Sequence, residues 1–186
     1  EAVMTDADLP SGSDRIGAAL QGREYALAVN IQGDEPELDV GSLDRLIRTM
    51  LDQPTIDIGT LSTPLCAGEL MDPNAVKVVT DGQGYALYFS RAALGADREA
   101  LVAGHSEPQS AAQRHVGVYV YRREALARFL AADPSPLERL ERLEQLRALE
   151  LGMRILVMPS AAAVRGIDTP SDLAAARRRM TKKAGS

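Results

Sequence analysis

Short apolar runs alternate with segments of helical periodicity along most of the chain. Continuous or alternating apolar stretches predict strands, and the first of them is expected to be buried on both faces. The predicted strands cover residues 26–32, 56–61, 76–80, 85–89, 116–121 and 155–158. Apolar residues at helical spacing predict helices that begin after Ser11 or Ser13, at Ser42, at Arg123, at Pro136 and after Asp172. This order predicts an α/β fold with a mostly parallel sheet flanked by helices.

Three segments in the second half of the chain modify this picture. Residues 81–84, Asp-Gly-Gln-Gly, separate two apolar runs and predict an antiparallel hairpin within the sheet. Residues 92–113 have weak periodicity, which predicts a mobile loop of possible functional importance. After Pro136, leucines at four regular positions predict one continuous helix, namely Leu137, Leu140, Leu143 and Leu146.

Composition narrows the class of protein. The 186 residues are 45% hydrophobic, which is enough for one domain with a sizeable core, and the net charge of −5 argues against a nucleic-acid partner. The single cysteine, Cys66, excludes a disulfide framework within the chain and favours a reducing compartment. The sequence contains no apolar run long enough to cross a membrane and no signal-peptide pattern at its start. We therefore expect a cytoplasmic protein without a membrane partner.

Two acidic residues follow predicted turns at the edge where ligands of α/β folds bind. Asp34 comes one glycine after the strand at 26–32, and Asp168 lies in a Gly-Ile-Asp turn before the last helix. Two such carboxylates could share one Mg²⁺, which prefers oxygen ligands. On spacing alone the alternative stays open, because aspartate is also common in turns and at helix caps.

The chain as a whole resembles the 3-deoxy-manno-octulosonate (Kdo) cytidylyltransferases, also called CMP-Kdo synthetases. The matching motifs occur in the order of that family along nearly the whole chain: PSGSDR at 10–15, VNIQGDEP at 29–36, PNAVKVV at 73–79, YALYFSR at 85–91, HVGVY at 115–119, PSPLE at 134–138, LEQLR at 143–147 and GIDTP at 166–170. The resemblance implies a fold like that of the nucleotide-diphospho-sugar transferases, related to the Rossmann fold. It also implies that the substrates are CTP and a Kdo-like sugar acid, and that the protein forms a homodimer.

The resemblance also implies roles for individual residues. Asp34 and Asp168 are expected to be catalytic as the ligands of Mg²⁺, and the nucleotide is expected to contact Pro10, Ser11, Gly12 and Gln32. The sugar acid is expected to contact Arg91, Arg98, His115, Tyr119, Glu144 and Gln145, with His115 donating to a sugar hydroxyl. Of Tyr119 and Tyr121, we expect only Tyr119 to face the site. Without the resemblance, each of these residues could equally be a surface or structural residue.

Two departures from the family pattern keep alternatives open. The stretch Gly95-Ala96-Asp97-Arg98 stands where the family carries proline and an aromatic residue before Asp-Arg, so a cytidylyltransferase for another acid, such as a phosphonate, is one alternative. The Gly-rich phosphate loop of the family would precede Glu1, so we expect residues 1–186 to form a single domain that lacks its N-terminal nucleotide-binding βαβ segment. A non-catalytic relative is the second alternative. On this view residues 1–186 alone should fold poorly and show no activity.

Overall fold

The computed structural model describes residues 1–9, 11–33, 37–105, 108–161, 173–174 and 176–178. The helices are α1 (Gly12–Ala19), α2 (Val40–Asp52), α3 (Arg98–Val102), α4 (Arg123–Leu130), α5 (Pro136–Glu141) and α6 (Gln145–Glu150). The strands are β1 (Leu27–Ile31), β2 (Ile58–Thr63), β3 (Lys77–Thr80), β4 (Ala86–Ser90), β5 (Gln113–Arg122) and β6 (Ile155–Pro159). Residues 173–174 and 176–178 are helical, while the predicted cap of that helix at 169–172 lies outside the described residues.

The strands form one six-stranded sheet in the order β4-β3-β5-β2-β6, with β1 also paired to β5. The α/β fold is confirmed, but the expectation of a mostly parallel sheet is wrong for the described strands. Only β2 and β6 pair in parallel, whereas β5 runs antiparallel to β1, β2 and β3. The strand-helix-strand order correctly predicts that β1 and β2 run in the same direction. It could not predict that β5 is inserted between them, since that pairing joins residues far apart in sequence.

The predicted hairpin is confirmed, and the long strand β5 creates the space for a site. Strands β3 and β4 pair antiparallel around the turn at 81–84. On one edge of β5, β3 pairs with Gln113 and Arg114, and β1 pairs with residues 118–122. Residues 115–117 therefore lie between two strand ends on the same edge.

Side chains of β5 alternate between two core layers. Tyr119 and Tyr121 lie in a cluster with Phe129 of α4 and Leu146 of α6. Val116, Val118 and Val120 lie in a second cluster with residues of α2 on the other side of the sheet. In that layer Gly59 allows close packing of α2, because a Cβ there would lie 2.6 Å from the Met50 sulfur.

Three local predictions need correction. Helix α2 begins two residues before Ser42, with Asp39 as its N-cap, because the Asp39 carboxylate accepts from the Gly41 amide. Strand β1 is buried on one face only: Val29 and Ile31 are 37% and 54% exposed, and within the described chain β1 pairs with β5 alone. The loop at 92–113 contains helix α3, whose N-terminus is capped by Asp97.

The predicted leucine-striped helix is divided into two. Helix α5 begins with a capping box between Ser135 and Glu138, and it ends at Arg142, whose φ of 53° is left-handed. The chain then turns before α6, so Leu140 is 81% exposed instead of packed with Leu143 and Leu146. The break places Glu144 at the N-cap of α6 and Gln145 as its first residue.

Candidate active site

A cleft of about 340 Å³ opens beside residues 115–117, where the ends of β1 and β3 leave room along β5. Six of the residues predicted from the sequence line it: Gln32, Arg91, His115, Tyr119, Glu144 and Gln145. Gln32 directly follows β1, Arg91 directly follows β4, His115 and Tyr119 lie on β5, and the other two lie at the start of α6. The topology therefore brings together residues that are up to 113 positions apart in the sequence.

The remaining predicted residues lie elsewhere or outside the described chain. Ser11 caps α1, and a Cβ on Gly12 would lie 3.6 Å from the Asn30 amide nitrogen and 3.9 Å from that of Gln32. The start of α1 therefore approaches the cleft closely. Arg98 is exposed on α3 and does not line this cleft. Pro10, Asp34 and Asp168 lie outside the described residues.

Arg91 is held at the cleft by backbone carbonyls. Its Nε donates to the Glu141 carbonyl at 2.9 Å and its Nη1 to the Pro73 carbonyl at 3.0 Å, while its amide donates to the Glu141 carboxylate at 2.9 Å. A guanidinium has five N–H donors. Because these contacts use two of them, further donors remain for a bound anion, and the side chain is oriented before any ligand arrives.

The hydrogen bonds of His115 indicate its tautomer. Thr60 Oγ1 donates its one proton to a backbone carbonyl, that of Val118 at 2.7 Å, so it accepts from His115 Nε2 at 2.9 Å. Burial among Phe89 and Tyr119 lowers the pKa of His115 to about 3, which keeps the ring neutral. Nδ1 is then an acceptor, in contrast to the donor role expected from the sequence.

Both tyrosines of β5 line the cleft, and the expectation that only Tyr119 does so is wrong. Residues two apart on a strand share a face, so Tyr119 and Tyr121 point to the same side of the sheet. Ser13 Oγ donates to the Glu144 carboxylate at 3.0 Å and lies 3.4 Å from the Tyr121 hydroxyl. Burial raises the pKa of both tyrosines.

Gln145 has an amide that lacks a partner in the described chain. Its Nε2 is buried and carries two N–H donors, and it donates to no described residue. An unsatisfied buried donor costs free energy, and a ligand oxygen would relieve that cost. Two residues further along α6, Arg147 pairs with the buried Glu138 at 2.8 Å and fixes α6 on α5.

Besides Tyr121, sequence reasoning missed five polar residues that also line the cleft: Ser13, Asn30, Asn74, Arg114 and Arg142. Asn30 had a usable signal, because it is the one amide inside an otherwise apolar strand. Arg114 is fixed by Glu69 at 2.6 Å. Three arginines and one carboxylate among the lining residues make the cleft electropositive in a protein of net charge −5, which suits an anionic ligand.

Among the described residues, no three His, Cys, Asp or Glu side chains lie close enough together to hold a metal ion. Asp34 and Asp168, the predicted ligands, are not among those residues. In the same part of the chain, every helix is too short or too polar to cross a bilayer.

The fold and the cleft define a nucleotidyltransferase-like α/β domain, and comparison with known proteins gives its family. The Cytidylyltransferase family matches residues 1–155. A 3-deoxy-manno-octulosonate cytidylyltransferase of Syntrophotalea carbinolica is 46% identical over 93% of this chain and 70% of its own length. The protein of the same name from Bdellovibrio bacteriovorus is 45% identical over 92% of this chain and 69% of its own length. The chain therefore belongs to the cytidylyltransferase family.

Solved structures agree with this assignment. A CMP:2-keto-3-deoxy-manno-octonic acid synthetase complexed with CTP superposes with a TM-score of 0.86 at 34% identity, over 98% of this chain and 73% of the other. A putative glucose-1-phosphate thymidylyltransferase from Bacillus anthracis superposes at 0.58 with 14% identity, over 92% of this chain and 61% of the other. The second likeness shows the fold alone.

Proposed function

We propose that this protein transfers CMP from CTP to the anomeric hydroxyl of Kdo, giving CMP-Kdo and pyrophosphate. The hydroxyl oxygen forms a bond to the α-phosphorus, and the bond from that phosphorus to the pyrophosphate oxygen breaks. The observation that carries this proposal is that five residues expected to contact the sugar acid converge on one cleft, together with Gln32 from the expected nucleotide side. The names of the relatives support the same reaction.

The geometry of the cleft supports a proposed task for several side chains in binding the acid. Arg91, already oriented by two carbonyls, binds the carboxylate of Kdo. Neutral His115 accepts a hydrogen bond from a sugar hydroxyl at Nδ1, and the unpaired amide of Gln145 donates to a sugar oxygen. The reaction needs positioning and charge neutralisation, with no covalent enzyme intermediate.

The nucleotide side is built by the start of α1 and the end of β1. Gly12 lies so close to Asn30 and Gln32 that a larger residue would reach both amides. Amide groups and backbone groups at this point can read the donors and acceptors of a cytosine edge. Ser13 joins this side to the acid side, because it donates to Glu144 across the cleft.

We propose that Asp34 and Asp168 hold the Mg²⁺ of the reaction. The donor chemistry fits, since carboxylate oxygens are the ligands that Mg²⁺ prefers, and Gln32, two residues before Asp34, lines the cleft. When bound, Mg²⁺ neutralises phosphate charge at the α-phosphorus. Asp168→Asn in the complete protein should abolish most Mg²⁺-dependent turnover with unchanged thermal unfolding. Near wild-type pyrophosphate release would remove Asp168 from the metal site.

Replacement of Arg91 tests which of the two substrates this residue binds. Loss of a bidentate contact to a carboxylate costs about 1.5 to 3 kcal/mol, or roughly a factor of ten to a hundred in binding. Arg91→Ala should therefore raise the KM for Kdo by that factor and change the KM for CTP much less. Arg48→Ala is the matched control, because Arg48 is exposed on α2 and does not line the cleft. A larger effect of Arg91→Ala on CTP would move Arg91 to the nucleotide side.

Two further properties stay proposals. We propose a homodimer, which sedimentation of the complete protein tests, and we propose a cytoplasmic location, supported by the exposed free thiol of Cys66. Within the described part of the chain, strand β5 supplies no free edge for such a dimer interface. In the structure β5 is paired on both edges, and its valines are fully buried.

A further inference from the structure

Lys77 is a fully buried lysine, with 0% of its surface exposed. Its Nζ donates to two backbone carbonyls, that of Asp72 at 2.8 Å and that of Arg91 at 2.5 Å. No described carboxylate lies within ion-pairing distance of this ammonium. Lys77 lies on β3, and none of the roles assigned above uses it.

The two carbonyls belong to two segments that form one wall of the cleft. Asp72 precedes Asn74, and both Asn74 and Arg91 line the cleft. Arg91 in turn donates from Nη1 to the carbonyl of Pro73 at 3.0 Å. A ring of hydrogen bonds therefore joins the loop before β3 to the end of β4. Its contacts are Lys77 to Asp72, Lys77 to Arg91 and Arg91 to Pro73.

A lysine is a costly residue for this position. Burial disfavours the charged form and lowers the pKa of Lys77, whereas an apolar side chain of similar length would pack there without that cost. What an apolar side chain lacks is a pair of directional donors. The donors of Lys77 fix the backbone of Arg91, and Arg91 is the residue whose guanidinium faces the cleft.

We propose that Lys77 is a positioning residue that acts through Arg91, holding its backbone so that the guanidinium meets the carboxylate of the sugar acid. This inference rests on the proposed function, because it assumes that Arg91 binds the acid. It assigns Lys77 no contact with either substrate.

The test compares four forms of the complete protein with the wild type: Lys77→Met, Arg91→Ala, the double variant and Leu46→Ala. Leu46→Ala is the control for lost stability, because Leu46 is fully buried in the core layer on the other side of the sheet. Lys77→Met should raise the KM for Kdo about tenfold, since small misplacements of a binding group have effects of that size, with little change in the KM for CTP. In the Arg91→Ala background, Lys77→Met should raise the KM for Kdo little further.

Three results would overturn the inference: an unchanged KM for Kdo in Lys77→Met, equal effects on both substrates as in Leu46→Ala, or additive effects in the double variant. Hydrogen exchange supplies a readout that needs no turnover. Lys77→Met should speed exchange of the Arg91 amide, which donates to Glu141, and leave α2 unchanged. Faster Arg91 exchange in Lys77→Met, together with a wild-type protein that releases no pyrophosphate with Kdo, would retain the ring but reject the proposed function. Unchanged exchange would reject the ring itself.

Discussion

Arg142 has φ and ψ values of 53° and 49°, and in the described part of the chain it is the one non-glycine residue with a positive φ. This left-handed conformation costs an L-residue roughly 1 to 2 kcal/mol. The turn it makes ends α5 and delivers Glu144 and Gln145 to the cleft. Backbone strain is therefore located where the chain places two site residues.

Arg142→Gly should raise the free energy of unfolding by about 1 kcal/mol, because glycine adopts this conformation without a Cβ clash. Glycine also gives the unfolded chain more conformational freedom, which offsets part of that gain. Urea unfolding measures the change. Arg142→Ala keeps the Cβ and should show no such gain. Equal stabilisation by both variants would show that the backbone at residue 142 is unstrained.

His115 makes folding sensitive to acid. Its pKa is about 3 in the folded protein, because burial disfavours the charged ring, and about 6.5 in an unfolded chain. Between these values the unfolded chain binds a proton that the folded protein does not bind, so stability is lost as the pH falls from about 6.5 towards 3. Over the interval from pH 7.5 to 5, the loss from this group is about 2 kcal/mol.

Urea unfolding at pH 7.5 and pH 5 tests this dependence. His115→Gln keeps an amide that can donate to Thr60 and removes the titrating ring, so its loss of stability on acidification should be smaller by about 2 kcal/mol. His105→Gln, on the exposed surface, is the matched control and should lose as much as the wild type. The same acid-induced loss in all three proteins would contradict the burial of His115 as a neutral ring.

At the scale of elements, local signals in the sequence predicted most of the structure. Helix α4 begins at Arg123, as the sequence predicted, and the hairpin around 81–84 follows from its turn residues. Long-range pairing was not predictable from periodicity, and so the antiparallel strand β5 between β1 and β2 was missed. The division of the leucine-striped helix depends on the conformation of Arg142, for which the residue type gives no warning.

The candidate site was predicted by resemblance more than by local pattern. Motif positions identified Gln32, Arg91 and Gln145, while no periodicity marks them as neighbours. Tyr121 was misassigned although the two-residue period of a strand places it beside Tyr119. Arg114 and Arg142 were missed because an arginine next to a strand or in a turn is usually solvated, and only the assembled cleft distinguishes them.

The α5–α6 unit depends on a buried ion pair. Arg147 donates to both carboxylate oxygens of Glu138 at 2.8 Å, and its guanidinium lies 4.1 Å from the Phe129 ring centroid. Arg147→Met would leave the Glu138 carboxylate buried without its partner, and we expect a loss of about 3 to 5 kcal/mol in the free energy of unfolding.

Glu138→Gln in the Arg147→Met background should recover part of that stability, because the charge left without a partner is removed. Chemical unfolding of the two single variants and the double variant measures this coupling. A loss below 1 kcal/mol for Arg147→Met alone would contradict the structural role of the pair.

At the scale of the whole molecule, the sheet separates an apolar core on one face from the cleft on the other. The layer that contains α2 is an apolar core against the valines of β5, and the opposite face carries the tyrosines and the electropositive cleft. In the proposed function, the acid side of the cleft comes from the end of β4, from β5 and from the α5–α6 turn, and the nucleotide side comes from α1 and the end of β1. On that proposal, the central strand β5 lies between both substrates and the apolar core.

The most direct test of this account is pyrophosphate release by the complete protein with CTP, Mg²⁺ and a panel of acids. With Kdo, the account predicts one pyrophosphate per CMP-Kdo formed, and much slower release with a phosphonate or with no acceptor. It also predicts that UTP or ATP cannot replace CTP at equal concentration. Absence of release with Kdo, or faster release with a phosphonate, would contradict the assignment of the cleft to a Kdo-like sugar acid.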